Sequence, residues 1–436
     1  MGESYNCGRK LSEKLLSRGT SLQMTVMKIL AVFGLLLLTA SSAFAQLGNE
    51  SPRVVVTSTL PQAIPQSKPI ATPTPIVASQ QKQSIYPQTV AGSNLNQKGL
   101  SFAQIKSKIA EAKRFMQTRP IATASVESET PNSLVRIAFY DERERTIDYL
   151  VLSKNDFLTP LTPVLGITLN GKQVTKQTIR ANGVNTPITI TDSNGIRHLP
   201  LMIQYPVEKN GRFIETAYYM STHPGIITSE VVNAGRFYVR NTIDIAREQL
   251  RSKGYSIEPK VADFAERLST VEHVDHLRFR TEPHANIFND IFTLYALNEG
   301  QTYRYSVSSA GAGGMVQMIP ATYRMIRARF PNAALMPDFV EGMRNHVNAT
   351  QAMLLYMQMT WNDLSSNATV QNALATGIAR QEHLMAAGYN SNPARLPGYI
   401  NRGGADWETL IPRETKIYLQ IWDSLESLVP LSPRKK

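Results

Sequence analysis

Residues 287 to 322 read IFNDIFTLYALNEGQTYRYSVSSAGAGGMVQMIPAT. The first half places apolar side chains at Ile287, Phe288, Ile291, Phe292, Leu294, Tyr295 and Leu297, the wide stripe of a buried helix. Gly300 then serves as a C-terminal cap, which puts Glu299 in the last helical turn. Desolvation and the negative end of the helix dipole both disfavour an ionised carboxyl there. A carboxyl that keeps its proton near neutral pH is what a general acid needs to protonate a glycosidic oxygen. A solvated glutamate at a helix end is equally common, so this spacing alone leaves both readings open.

The second half narrows the choice. From Glu299 onward the residues resemble the soluble lytic transglycosylase family, whose pattern is a glutamate-serine helix end followed by A-x-S, G-A-x-G-L-M-Q and P-x-T. Without a gap, Glu299, Ser308, Gly311, Ala312, Gly314, Gln317, Pro320 and Thr322 stand in that register. Three later blocks follow in family order. His346 to Ala352 resembles the asparagine-led core helix, Ala386 to Pro393 the A-A-Y-N-A-G-P block, and Pro412 to Tyr418 the closing P-x-E-T-x-x-Y motif. Gly300 stands where the family has serine, and Gly388 and Asn392 depart from the A-A-Y-N-A-G-P block. The resemblance runs from about Pro283 to the C-terminus.

This resemblance implies a mainly helical, lysozyme-like domain over residues 283–436. It implies that Glu299 acts as single acid and base on the bond between N-acetylmuramic acid and N-acetylglucosamine, with the muramoyl O6 closing onto C1 as a 1,6-anhydro product. Tyr389 would hydrogen-bond the Glu299 carboxyl. Ser308, Gln317, Asn390 and Glu414 would contact substrate, and Gly311, Ala312 and Gly314 would bring backbone close to the sugar. No metal and no organic cofactor is implied. Two rival readings use the same fold: a hydrolytic, goose-type muramidase with Glu382 positioning water, and a degenerate domain that binds glycan or organises a secretion apparatus without cleaving.

Upstream, the period changes to two. Leu134 to Tyr140, Thr146 to Leu152, Pro187 to Thr191 and Arg212 to Met220 alternate or cluster β-formers. The pairs Asn170-Gly171, Asn182-Gly183, Asn194-Gly195 and Asn210-Gly211 punctuate them as tight-turn signals. Together with a short helical pattern at Phe102 to Met116, this predicts an accessory, mainly antiparallel β domain over 101–240 that folds separately, then a helical connector over 241–282. The fold class expected is therefore α+β. Glu272-His273-Val274-Asp275-His276 places two imidazoles at i and i+3, and an exposed polar helix face accounts for it without a metal.

From Lys28 the chain reads KILAVFGLLLLTASSAFAQ, a basic residue, a short apolar run and Ala43-Phe44-Ala45 before Gln46. This is the form of a secretory signal, residues 1–45, with Met27 as an alternative start. The apolar run falls short of the ~20 residues that span a bilayer, so no permanent membrane span is expected after cleavage. Residues 46–100 are rich in Pro, Gln, Ser and Thr and read as a disordered linker. The single cysteine, Cys7, lies ahead of the apolar run and is removed with the signal, so the exported form carries no thiol. A formal charge of +12 suits an anionic partner. The excess is spread along the chain without nucleic-acid-binding motifs. Peptidoglycan strands, and a cell-envelope protein met through the β domain or linker, are the expected partners, in the periplasm or cell wall. N-terminal sequencing of the exported protein should find a start near Gln46; an intact Met1 recovered from membranes would refute this.

Overall fold

A computed structural model describes residues 99–121, 133–209, 211–299 and 310–435. The expected signal, the linker up to residue 98, and Ser308 lie outside the described residues. The described chain is an α+β fold, and all of it belongs to one compact unit.

Helix α1 (Phe102–Thr118) opens with a reciprocal capping box between Ser101 and Gln104. Its apolar stripe of Ile105, Ile109, Ala112 and Met116 is buried. The strands are β1 (Leu134–Asp141), β2 (Thr146–Ser153), β3 (Val164–Ile167), β4 (Gln173–Thr178), β5 (Ile188–Asp192), β6 (Arg197–Lys209) and β7 (Arg212–Tyr219), with a short helix α2 (Lys154–Leu158) after β2. They form one antiparallel sheet in the order β2-β1-β6-β5-β4-β3, with β7 also paired to β6. The sheet curls until its two ends meet, at a bridge between Leu150 and Thr168 and a 2.8 Å bond from the Leu169 N–H to the Tyr149 carbonyl. Val135, Ile137, Phe139, Ile190 and Ile203 pack inside the curl. Ala138, Tyr140, Tyr149 and Leu201 pack outward against α1. Strand β1 is thus buried on both faces, which explains why LVRIAFY reads as a near-continuous apolar run. Its one buried cation, Arg136, donates to the Met116 and Arg119 carbonyls at 2.7 and 2.8 Å and so satisfies the end of α1.

The four β runs expected from sequence become β1, β2, β5 and β7. The turns at Gly171 and Gly195, both at φ 78, link β3 to β4 and β5 to β6, where a side chain would be strained. Strands β3, β4 and β6 were not legible. In β6, Pro200 and Pro206 interrupt the pattern that marks a strand. The sheet accepts them beside two register shifts, one opposite Ala138/Phe139 and one at Val207/Glu208.

The helical part comprises α3 (Ser229–Ser252), α4 (Pro259–Val271), α5 (His276–Thr281), α6 (His284–Leu297), α7 (Pro320–Arg329), α8 (Phe339–Arg344), α9 (His346–Ser365), α10 (Ala368–Ala375), α11 (Gln381–Asn390), α12 (Leu396–Gly403) and α13 (Arg413–Leu428). Among the described residues no helix is long and apolar enough to cross a membrane.

The domain boundaries expected from sequence need correction. Residue 240 falls inside α3, which runs through it unbroken. Val231 at the start of α3 belongs to the apolar cluster under the sheet, whereas Val239, Ile243 and Leu250 belong to the helical core. The stretch 241–282 is likewise core: α4 buries Val261, Ala262, Ala265 and Leu268. A change of period marks where strands give way to helices, but burial decides which helices share a core. A charged cluster strengthens the join, since Asp290 of α6 accepts from Arg278 at 2.6 Å and from Arg180, in the loop after β4, at 3.3 Å.

Helices α3 and α6 cross at Gly235, where an added Cβ would lie 1.8 Å from the Phe292 carbonyl oxygen. Gly235→Ala should therefore cost about 3 kcal/mol through forced separation of the two helices. Calorimetry should show Tm lowered by roughly 4–5 °C; an unchanged Tm would mean that the crossing can open without loss.

Candidate active site

A cleft of about 610 Å³ opens in the helical part. Its walls come from the end of α4, the segment 272–276, the loop 310–319, and the facing parts of α9, α11 and α13. Glu272 lies in its lining, directly after α4. Helix α4 is apolar because it is core, and it stops at Val271, so the chain delivers Glu272 to the cleft at a helix C-terminus. The residue keeps partial access to the cleft while its carboxyl is packed among protein atoms. The Tyr418 hydroxyl of α13 donates to its Oε1 at 2.6 Å. Burial pushes the carboxyl up to about 8, with the nearby charge of Glu414 adding to the rise and the Tyr418 hydrogen bond opposing it. At neutral pH Glu272 therefore holds its proton in the lining of this cleft.

Glu299 is placed elsewhere. Helix α6 ends at Leu297 with Asn298 as its C-cap, so Glu299 lies beyond the last turn rather than in it. The Asn298 side chain accepts from the Met220 N–H and donates to the Met220 carbonyl, both at 2.7 Å, which straps this end of α6 to the end of β7. Glu299 then points to α1, where it pairs with Lys106 at 2.9 Å; both side chains are about half exposed. It is not among the residues lining the cleft. An exposed pair of this kind contributes at most about 1 kcal/mol.

Tyr389 lines the cleft as expected, but its hydroxyl donates to the Val316 carbonyl at 2.6 Å and not to Glu299. It thereby pins the glycine-rich loop. That loop turns at Gly311 and Gly314, with φ of 76 and 72. A Cβ on Gly314 would lie 2.7 Å from the Met343 carbonyl oxygen, so this glycine allows a close approach to the end of α8. Ala312 and Gln317 face the cleft, and the Gln317 side chain also donates to the Gly314 carbonyl at 2.9 Å. Gly311 and Gly314 shape the loop without lining the cleft. Asn390 and Glu414 line it, and Asn390 is held by the Thr415 hydroxyl at 2.8 Å.

Segment 272–276 corrects the reading of an exposed helix face. It is the turn between α4 and α5, so the two imidazoles do not share a helical face. His273 points inward, with Nε2 3.2 Å from the Met315 carbonyl, and burial lowers its pKa to about 4. Asp275 caps α5, and His276 faces the cleft. Glu382, considered for positioning water, pairs with Lys260 at 3.0 Å outside the cleft lining.

The residues that sequence reasoning missed are thus Glu272 and Tyr418. A signal for the first existed: the run VADFAERLSTVE ends an apolar helix in a glutamate, just as the run ending in Glu299 does. The chain matches no protein-family model, no curated protein and no solved structure.

Proposed function

We propose that this protein is an exported, peptidoglycan-cleaving lytic transglycosylase with Glu272, rather than Glu299, as its acid and base. One observation carries the reading: a carboxyl held protonated by burial, oriented by a tyrosine, and facing a polar cleft of saccharide size. Glu272 would protonate the glycosidic oxygen as the C1–O bond breaks. The resulting carboxylate would take the proton of the muramoyl O6 as that oxygen bonds to C1, leaving an anhydro sugar and a regenerated acid. Tyr418 stabilises the transient anion and fixes the carboxyl rotamer. Gln317, Asn390, Ala312 and Glu414 would contact the sugars. No step calls for a metal or an organic cofactor. The signal-like N-terminus and the basic net charge agree with an anionic polymer outside the cytoplasm.

Glu272→Gln keeps the size of the side chain and its acceptor for Tyr418 but has no acid proton. Release of anhydromuropeptides from purified sacculi should fall at least ~100-fold. Glu299→Gln should stay within about twofold of the unchanged protein, since it removes only an exposed ion pair. The reverse order of the two losses would return the acid to Glu299.

The acid form is the active one, and the folded protein binds that proton more tightly than a free glutamate does. Activity should therefore persist through neutral pH and fall as pH rises through about 8. A profile that already falls between pH 4 and 5, with folding intact, would show that Glu272 is not the group that titrates.

A further inference from the structure

The cleft holds a second carboxyl that the mechanism above uses only for binding. Glu414 sits in the first turn of α13, one turn ahead of Tyr418, and lines the same cleft as Glu272. Residues at i and i+4 share a helix face with about 5–6 Å between their Cβ atoms. Because the Tyr418 hydroxyl holds the Glu272 carboxyl, Glu414 flanks the same stretch of cleft from one turn away. The two are within electrostatic reach, since the Glu414 charge acts on Glu272.

Their surroundings are opposed. The Glu272 carboxyl is packed among protein atoms, whereas Glu414 is exposed in the first turn of a 16-residue helix. An acid and a carboxylate kept apart by environment are how hydrolytic glycosidases divide their two roles. In inverting enzymes the two stand ~6.5–9.5 Å apart, which leaves room for a water.

We propose that Glu414 is a base for water in this cleft, so that the enzyme hydrolyses a share of the bonds it cleaves and leaves reducing ends beside anhydro ends. The inference rests on the glycan-cleaving reading of the site. The step balances: the Glu272 proton passes to the leaving O4 as the C1–O4 bond breaks, the water oxygen bonds to C1, and the water proton passes to the Glu414 carboxylate. Solvent exchange then restores both groups. Anhydro closure and hydrolysis compete for the same C1, and Glu414 sets their ratio.

The test is digestion of purified sacculi by the full chain in heavy-oxygen water, with mass spectrometry of the muropeptides. Labelled reducing ends should appear beside anhydro ends, and Glu414→Gln should lower their ratio at least ~10-fold. Anhydro ends alone from the unchanged protein would overturn the inference, as would an unchanged ratio in the variant. No cleavage at all by the unchanged protein is a separate outcome, which removes the glycan-cleaving reading and this inference with it.

Discussion

The close crossing of α3 and α6 at Gly235 is the constraint on which the rest of the structure depends. A backbone carbonyl occupies the space where any other residue would carry its Cβ, so the two helices touch almost backbone to backbone. Helix α3 begins under the curled sheet and ends in the helical core. Fixing α6 against it therefore fixes the sheet and the helical core to each other. The Asn298 strap and the Arg180–Asp290 contact act on the same join from its two sides. A consequence follows for chemistry: the end of α6 is directed to α1 and β7, away from the cleft, and the end of α4 takes the place facing it.

Within the cleft, the decisive balance is between desolvation and a single hydrogen bond. A buried carboxyl resists ionisation, and the Tyr418 hydroxyl favours the anion. Burial outweighs the hydrogen bond, so the carboxyl is pushed up to about 8 with a donor still in place on its Oε1. Tyr389 cannot serve as that donor in this arrangement, because its hydroxyl is committed to the Val316 carbonyl. Its work is to hold the glycine-rich loop against the floor of the cleft, which makes it a positioning residue. Two tyrosines thus divide tasks that the sequence had assigned to one.

Much of the fold was legible wherever one face of an element is buried and the other is not. The stripe of α1 shows this, and the Asn-Gly turns at Gly171 and Gly195 join adjacent antiparallel strands as expected. Legibility failed where a local rule was overridden. Strand β6 carries two prolines that its neighbours tolerate through register shifts. The boundary at residue 240 cut a continuous helix, because period reports local structure and says nothing of which core a helix joins.

The site shows the same division. By itself the sequence determined the turns of the glycine-rich loop, because turns with positive φ are encoded over a few residues, whereas Tyr389, Asn390 and Glu414 came only from the resemblance. It also supplied two apolar helices that each lead into a glutamate, Glu272 and Glu299, with nothing local to rank them. Only tertiary structure brings one of them, Glu272, to the cleft. The surroundings of each carboxyl come from segments distant in sequence: α13 meets Glu272 at the cleft, whereas Glu299 pairs with Lys106 of α1 outside it.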